Sequence, residues 1–114
     1  MKPKNDLAYA ADVLEYARRA QTHAASAPFE EFSANEMMHD AVIRCFEVMG
    51  EATKRLSPEF REAHGGVNWA GIAGFRDVLA HGYERVDLNI CWNILQNRLP
   101  ETIAALEKIV PPES

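Results

Sequence analysis

The stretch M-M-H-D-A-V-I-R-C-F-E-V-M-G-E-A-T-K-R-L, Met37 to Leu56, decides the fold class. Met38, Val42, Cys45, Met49, Ala52 and Leu56 recur at steps of four and three. That spacing keeps apolar side chains on one side of an α-helix and marks the seam of a helical bundle. Just upstream, Ser33 and Glu36 stand at the S-x-x-E spacing of a capping box, and Phe32 and Met37 fall where a hydrophobic staple would sit. Opposite the seam, Asp40, Arg44, Glu47, Glu51 and Arg55 share a narrow arc. Two readings fit that arc. One is a solvated face laced with ion pairs of about 0.3–0.5 kcal/mol each. The other is the charged border of a functional cleft.

Toward the N-terminus, a first helix is expected from about Asn5 to about Ser26, with Asn5 as its N-cap. Leu7, Ala10, Leu14, Ala17 and Gln21 trace one stripe, and Tyr9, Val13, Tyr16 and Ala20 a second beside it. The segment S-A-P-F ends this helix, because proline disfavours a helical residue before it. Toward the C-terminus, the seam helix should stop near Leu56, where Ser57-Pro58 opens a short helix that Gly65-Gly66 closes.

Asn68 can cap a third main helix with Ile72, Phe75 and Leu79 inward, and Gly71 and Gly74 leave room for another backbone to approach. Gly82 suits a helix stop. Asp87 caps a final helix lined by Cys91, Leu95, Leu99, Ile103, Leu106 and Val110, which Pro100 should kink or split. Pro111-Pro112 ends it. The expectation is an all-α, up-down helical bundle of four main helices and one short extra helix, forming a single domain over residues 1–114.

Composition narrows the classes. Apolar residues are 47% and charged residues 25% of 114, so the chain reads as globular and not disordered. The net charge of −5 argues against holding nucleic acid by bulk charge. An RNA substrate would need a local positive site, or one assembled from two chains. No apolar run is long enough to cross a bilayer, and the start, MKPKNDLAYA, lacks the apolar region of a secretion signal. Cys45 and Cys91 both occupy apolar helical positions, which suits a reducing cytoplasm. His23, His39 and His64 form no ligand constellation, so neither a metal nor a cofactor is expected. Trp69 and Trp92 read as core or interface anchors.

The chemistry concentrates in R-D-V-L-A-H-G-Y, Arg76 to Tyr83, an R-x-x-x-x-H-x-Y pattern. Arg76 and His81 would lie about 140° apart on a continuing helix. Gly82 allows a turn directly after His81 that can bring the imidazole back toward the guanidinium. Cleavage of RNA requires a 2′-OH to lose a proton, and histidine is the side chain best matched to that transfer near neutrality. Arginine can stabilise the charge that develops on phosphate, a contribution of ~3 kcal/mol for one such donor. Asp77 is placed to orient either partner, and Tyr83 offers a hydroxyl and a face for stacking. The plainer alternative is a surface arginine beside a histidine that satisfies the last carbonyls of a helix.

From Asn5 to Val110 the chain resembles the HepT-like branch of the HEPN superfamily. The likeness is carried by Asp40 to Ser57, by V-N-W-A-G-I-A-G-F-R-D-V-L-A-H-G-Y at Val67 to Tyr83, and by V-D-L-N-I-C-W-N-I-L-Q-N-R-L-P at Val86 to Pro100. The resemblance implies a helical homodimer in which two Arg76–His81 pairs meet at a cleft and cut RNA without metal. It also implies a toxin paired with an MntA-like nucleotidyltransferase antitoxin that transfers AMP to Tyr83. In that setting Arg44 would lie near the RNA, and Glu47 or Glu51 would pair with motif arginines. Many relatives carry Asn directly after the motif arginine, where this chain has Asp77. That departure and the acidic net charge suit two other readings as well. One is a non-catalytic module that docks a nucleotidyltransferase with Tyr83 as acceptor only; the other is a helical dimer that binds a nucleotide.

Overall fold

The computed structural model describes residues 5–74 and 87–112. Among them every regular element is helical. In chain order these are α1 (Asp6–Ala24), α2 (Phe29–Ala34), α3 (Glu36–Lys54), α4 (Pro58–Ala63), α5 (residues 69–74), α6 (Leu88–Asn93), a π-turn (Ile94–Arg98) and α7 (Leu99–Glu107). The all-α expectation holds: among the described residues α2 is an added short helix and the expected last helix is divided at the π-turn, while the far end of the expected third main helix lies outside the described residues.

The frame is the pair α1 and α3, 19 residues each, or about 28 Å of helix. Asn5 caps α1 as expected, its side-chain oxygen accepting from the Ala8 N–H at 2.9 Å. The buried stripe of α1 is Ala10, Val13, Leu14, Ala17, Ala20 and Ala24. So many alanines bring the α1 backbone close to α3. Leu7 is 41% exposed and Gln21 is exposed, so both fall outside the stripe expected of them. Their positions lie at its edge, where a helical period admits either orientation. The α3 seam is buried at Val42, Cys45, Met49 and Ala52, continues to Leu56, and has Met38 packed against its end.

The start of α3 corrects the sequence reading. Ser33 is no N-cap: it lies inside α2, and its hydroxyl donates to the Glu30 carbonyl at 3.2 Å. Asn35 caps α3 instead, accepting from the Met38 N–H at 3.0 Å. No staple forms either, since Phe32 is fully buried while Met37 is 85% exposed. The physical reason is α2 itself. Pro28, read as a breaker, is pre-set for a helix start, and the six residues behind it form a turn and a half that drives Phe32 into the core. Trp92 locks α2 in place. Its indole N–H donates to the Ala27 carbonyl at 3.0 Å, and its ring meets Phe29 edge-on at 6.0 Å.

Ser57 caps α4 through the Phe60 N–H with Pro58 in the first turn, as expected. The same serine is tied to the start of α1. Its N–H and hydroxyl donate to the two Asp6 carboxylate oxygens at 2.8 and 2.7 Å. Those bonds hold the Asp6 carboxyl below its ordinary pKa. Trp69 is buried and donates its indole N–H to the His64 carbonyl at 3.0 Å, which closes the Gly65-Gly66 turn.

Pro100 does split the last helix, through a π-turn. The Leu99 N–H bonds to the Ile94 carbonyl, five residues back. Proline cannot donate at position 100 and its ring crowds the carbonyl four residues earlier. One extra residue in the preceding turn relieves that crowding. Cys91, Leu95, Leu99, Ile103 and Leu106 all remain buried across the break.

Candidate functional site

A groove of about 620 Å³ opens where α3, α5, α6, the π-turn and α7 meet. Its floor is apolar: Phe46 and Met49 from α3, Ile72 from α5, Ile90 from α6, then Ile94 and Leu99. Its polar groups are Asn68, Asn93, Arg98, Glu101 and Thr102. Volume and lining match the usual form of a ligand site, an apolar cleft with a few placed polar groups.

Local sequence accounts for each wall. Asn68 caps α5, accepting from the Gly71 N–H at 3.0 Å. A Cβ on Gly71 would stand 2.5 Å from the Asn68 amide nitrogen, so that glycine makes room for the capping side chain beside it. A Cβ on Gly74 would meet nothing within 4 Å. The close approach of another backbone, expected at both glycines, is therefore absent among the described residues. On the opposite wall Asp87 caps α6, accepting from the N–H groups of Asn89 and Ile90 at 2.9 and 3.4 Å.

The π-turn brings the remaining groups together. In an unbroken α-helix Asn93 and Thr102 would point about 180° apart. The extra residue turns everything after it back by roughly one residue's rotation, and both side chains line the groove. The Asn97 amide donates to the Asn93 side-chain oxygen across this turn. Sequence reading missed Asn93, Arg98, Glu101 and Thr102. The available signal was Pro100, which foretold a deformation without giving its register.

The residues singled out from sequence fall into two sets. Arg76, Asp77, His81 and Tyr83, with Phe75, Leu79 and Gly82, lie outside the described residues. The α3 set is described. Arg44 is exposed and pairs with Glu47 at 3.8 Å, and Glu51 pairs with Arg55 at 3.0 Å. Hydrogen bonds from the Arg55 guanidinium to Glu51 and, secondarily, to Tyr9 raise its pKa above the ordinary arginine value. None of Arg44, Glu47 and Glu51 lines the groove, which takes Phe46 and Met49 from α3.

Both cysteines are free and buried. Burial, reinforced by the Asp87 charge, pushes the Cys91 thiol up to about 11. Burial also raises Cys45, against the pull of Arg19 and Arg44. Neither is a nucleophile near neutral pH. Among the described residues no group of three His, Cys, Asp or Glu side chains is placed to hold a metal ion. Nor is any described helix long and apolar enough to cross a membrane.

The family model described as ribonuclease HepT-like matches residues 13–109, which run from within α1 through α3 and the groove. The chain belongs to the HepT-like family. Three relatives of this HepT-like chain cover between 75% and 95% of its length. "Putative RNase MJ1216" of Methanocaldococcus jannaschii is 36% identical, covering 95% of this chain and 90% of its own. "Putative RNase TTE0752" of Caldanaerobacter subterraneus is 39% identical, covering 75% and 76%. "Probable ribonuclease HepT" of Thermococcus cleftensis is 30% identical, covering 89% and 92%. No solved structure matches. Family membership accords with the all-helical fold and with the likeness to HEPN domains expected from sequence.

Proposed function

We propose that this protein is an endoribonuclease toxin that cuts RNA without metal through Arg76 and His81. The observation that carries the reading is the intact R-x-x-x-x-H-x-Y pattern at Arg76 to Tyr83, inside the span matched by the HepT-like family model. The ribonuclease names of its relatives support it.

Neutral His81 takes the proton of a ribose 2′-OH, and the freed oxygen attacks the neighbouring phosphorus. The bond from phosphorus to the 5′ oxygen of the next nucleotide breaks. That oxygen gains a proton from a protonated imidazole, leaving a cyclic phosphate and a 5′-hydroxyl. Arg76 stabilises the charge on the phosphate oxygens during attack. Asp77 holds the imidazole or the guanidinium in orientation. Two copies of this pair face one strand in a homodimer, and the Arg44, Glu47 and Glu51 face of α3 borders the cleft between them. Bringing two such cations to one cleft makes it locally positive although each chain carries a net charge of −5.

Silencing follows from the same chemistry. An MntA-like nucleotidyltransferase antitoxin delivers AMP to Tyr83. The phenolic oxygen bonds the α-phosphorus of ATP, pyrophosphate leaves, and the phenol proton goes to solvent. The added phosphodiester places negative charge and bulk where the RNA backbone must lie.

The test is cleavage of RNA by purified protein in the presence of a chelator. His81→Ala should lose at least about a hundredfold in rate. Equal rates from wild type and His81→Ala would refute the assignment. Incubation with the nucleotidyltransferase and ATP should add one AMP to the intact mass, with no addition in Tyr83→Phe. Mass addition without cleavage by the unmodified protein would favour a docking module over a nuclease.

A further inference from the structure

We infer that the groove beside the π-turn is a nucleotide subsite for single-stranded RNA, with Arg98 holding a phosphate and the apolar floor receiving the adjoining base. The inference rests on the ribonuclease reading and extends it to a second set of residues.

Three observations carry it. First, Arg98 is an exposed cation at the groove that forms no ion pair among the described residues. The other arginines on the surfaces of α1 and α3 are engaged: Arg18 with Glu107 at 2.6 Å, Arg19 with Glu15 at 2.8 Å, Arg44 and Arg55 within α3. In a chain of net charge −5, an unneutralised guanidinium at a cleft is a place an anion can be held.

Second, the floor beside it is apolar and partly open. Ile90 is 47% exposed, although it lies in a helix whose neighbour Cys91 is fully buried. A volume of about 620 Å³ has room for a base and its sugar. Glu101, within the same lining, is an acceptor suited to the exocyclic amine of a base.

Third, the π-turn is what presents these groups together. π-turns inside α-helices recur at functional sites. This one sets Asn93, Arg98 and Thr102 toward a single cleft, and the Asn97 amide orients Asn93.

The experiment measures binding of a fluorescent, 2′-O-methylated RNA oligonucleotide by anisotropy over a range of NaCl concentrations, alongside cleavage of the unmodified strand. Arg98 is exposed, so Arg98→Ala should fold; circular dichroism checks this. Arg98→Ala should weaken binding about tenfold and lower the salt slope by about 0.7, the amount for one phosphate contact on a single strand. Arg98→Lys should restore the slope with only part of the affinity. Arg19→Ala, on the surface of α1, serves as control. In cleavage, Arg98→Ala should raise KM and leave kcat unchanged.

Equal affinity and slope in Arg98→Ala and Arg19→Ala would overturn the subsite. So would an Arg98→Ala effect confined to oligomeric mass, which would make the groove a contact between copies. If wild type binds the oligonucleotide through Arg98 and cuts nothing, the subsite stands and the nuclease reading falls. If it cuts RNA with a KM that Arg98→Ala does not move, the nuclease stands and the subsite falls. Absence of any RNA binding removes both.

Discussion

The α1–α3 pair and the groove wall built from α6, the π-turn and α7 are made of the same kind of helix put to opposite uses. In the first, alanines and valines close the interface, and hydrogen bonds to side chains gather at its ends, at Asn5, Asn35 and Ser57. In the second, the helix is deformed and displays an arginine, an asparagine and a threonine over an apolar floor. The buried interface that stabilises the fold is thus spatially separate from the groove where we infer recognition. Substitutions in the pair should move the unfolding midpoint, and substitutions at the groove rim should move ligand affinity.

The largest expected effect breaks the pair through α2. Phe32→Ala should cost about 3–5 kcal/mol in chemical denaturation, because Phe32 is fully buried and little around it can collapse into the void. Arg98→Ala and Asn93→Asp, both exposed, should change stability by less than about 0.5 kcal/mol in the same measurement. A large loss from either would erase the separation.

Next come the two rival caps. Asn35→Ala should lose about 1 kcal/mol, the usual worth of a cap, whereas Ser33→Ala should be close to neutral. The reverse order would restore the capping box. A comparable effect of opposite sign is expected inside the pair. Thr53 is fully buried and its hydroxyl has no hydrogen-bond partner among the described residues, so Thr53→Val should stabilise by about 1 kcal/mol. A lower unfolding midpoint would show that the hydroxyl is satisfied.

The smallest effect is pH-dependent. Hydrogen bonds from Ser57 lower the Asp6 pKa from 3.8. A carboxylate with a depressed folded-state pKa contributes stability above its unfolded value and loses it as pH falls through the folded one. Asp6→Asn should therefore lower Tm at neutral pH, and the gap to wild type should close below about pH 3.8. A gap that persists in acid would assign the effect to packing.

The periodic seam of α3, the Asn5, Ser57 and Asp87 caps, and the burial of both cysteines were legible from sequence. Each follows from spacing along one helix or from a polar side chain three residues before a free N–H. The Ser33–Glu36 pairing misled because Asn35 stood closer to the true start, and a capping pattern cannot tell which of two polar residues has a helix behind it. Of the candidate site, the motif residues Arg76, His81 and Tyr83 came from sequence and family likeness. The groove residues Asn93, Arg98 and Thr102 did not, since on an ideal helix Asn93 would lie about 140° from Arg98 and about 180° from Thr102.

Sequence alone thus determined the helical class, the main seam and the family, because those depend on local period and on residue types in order. Tertiary structure alone decided that Pro28 opens a helix, that Phe32 plugs the core, and that Pro100 is absorbed by a π-turn. In each case several backbone conformations are locally allowed, and contacts with distant chain select one. The Trp92 bond to Ala27, 65 residues away, is such a contact.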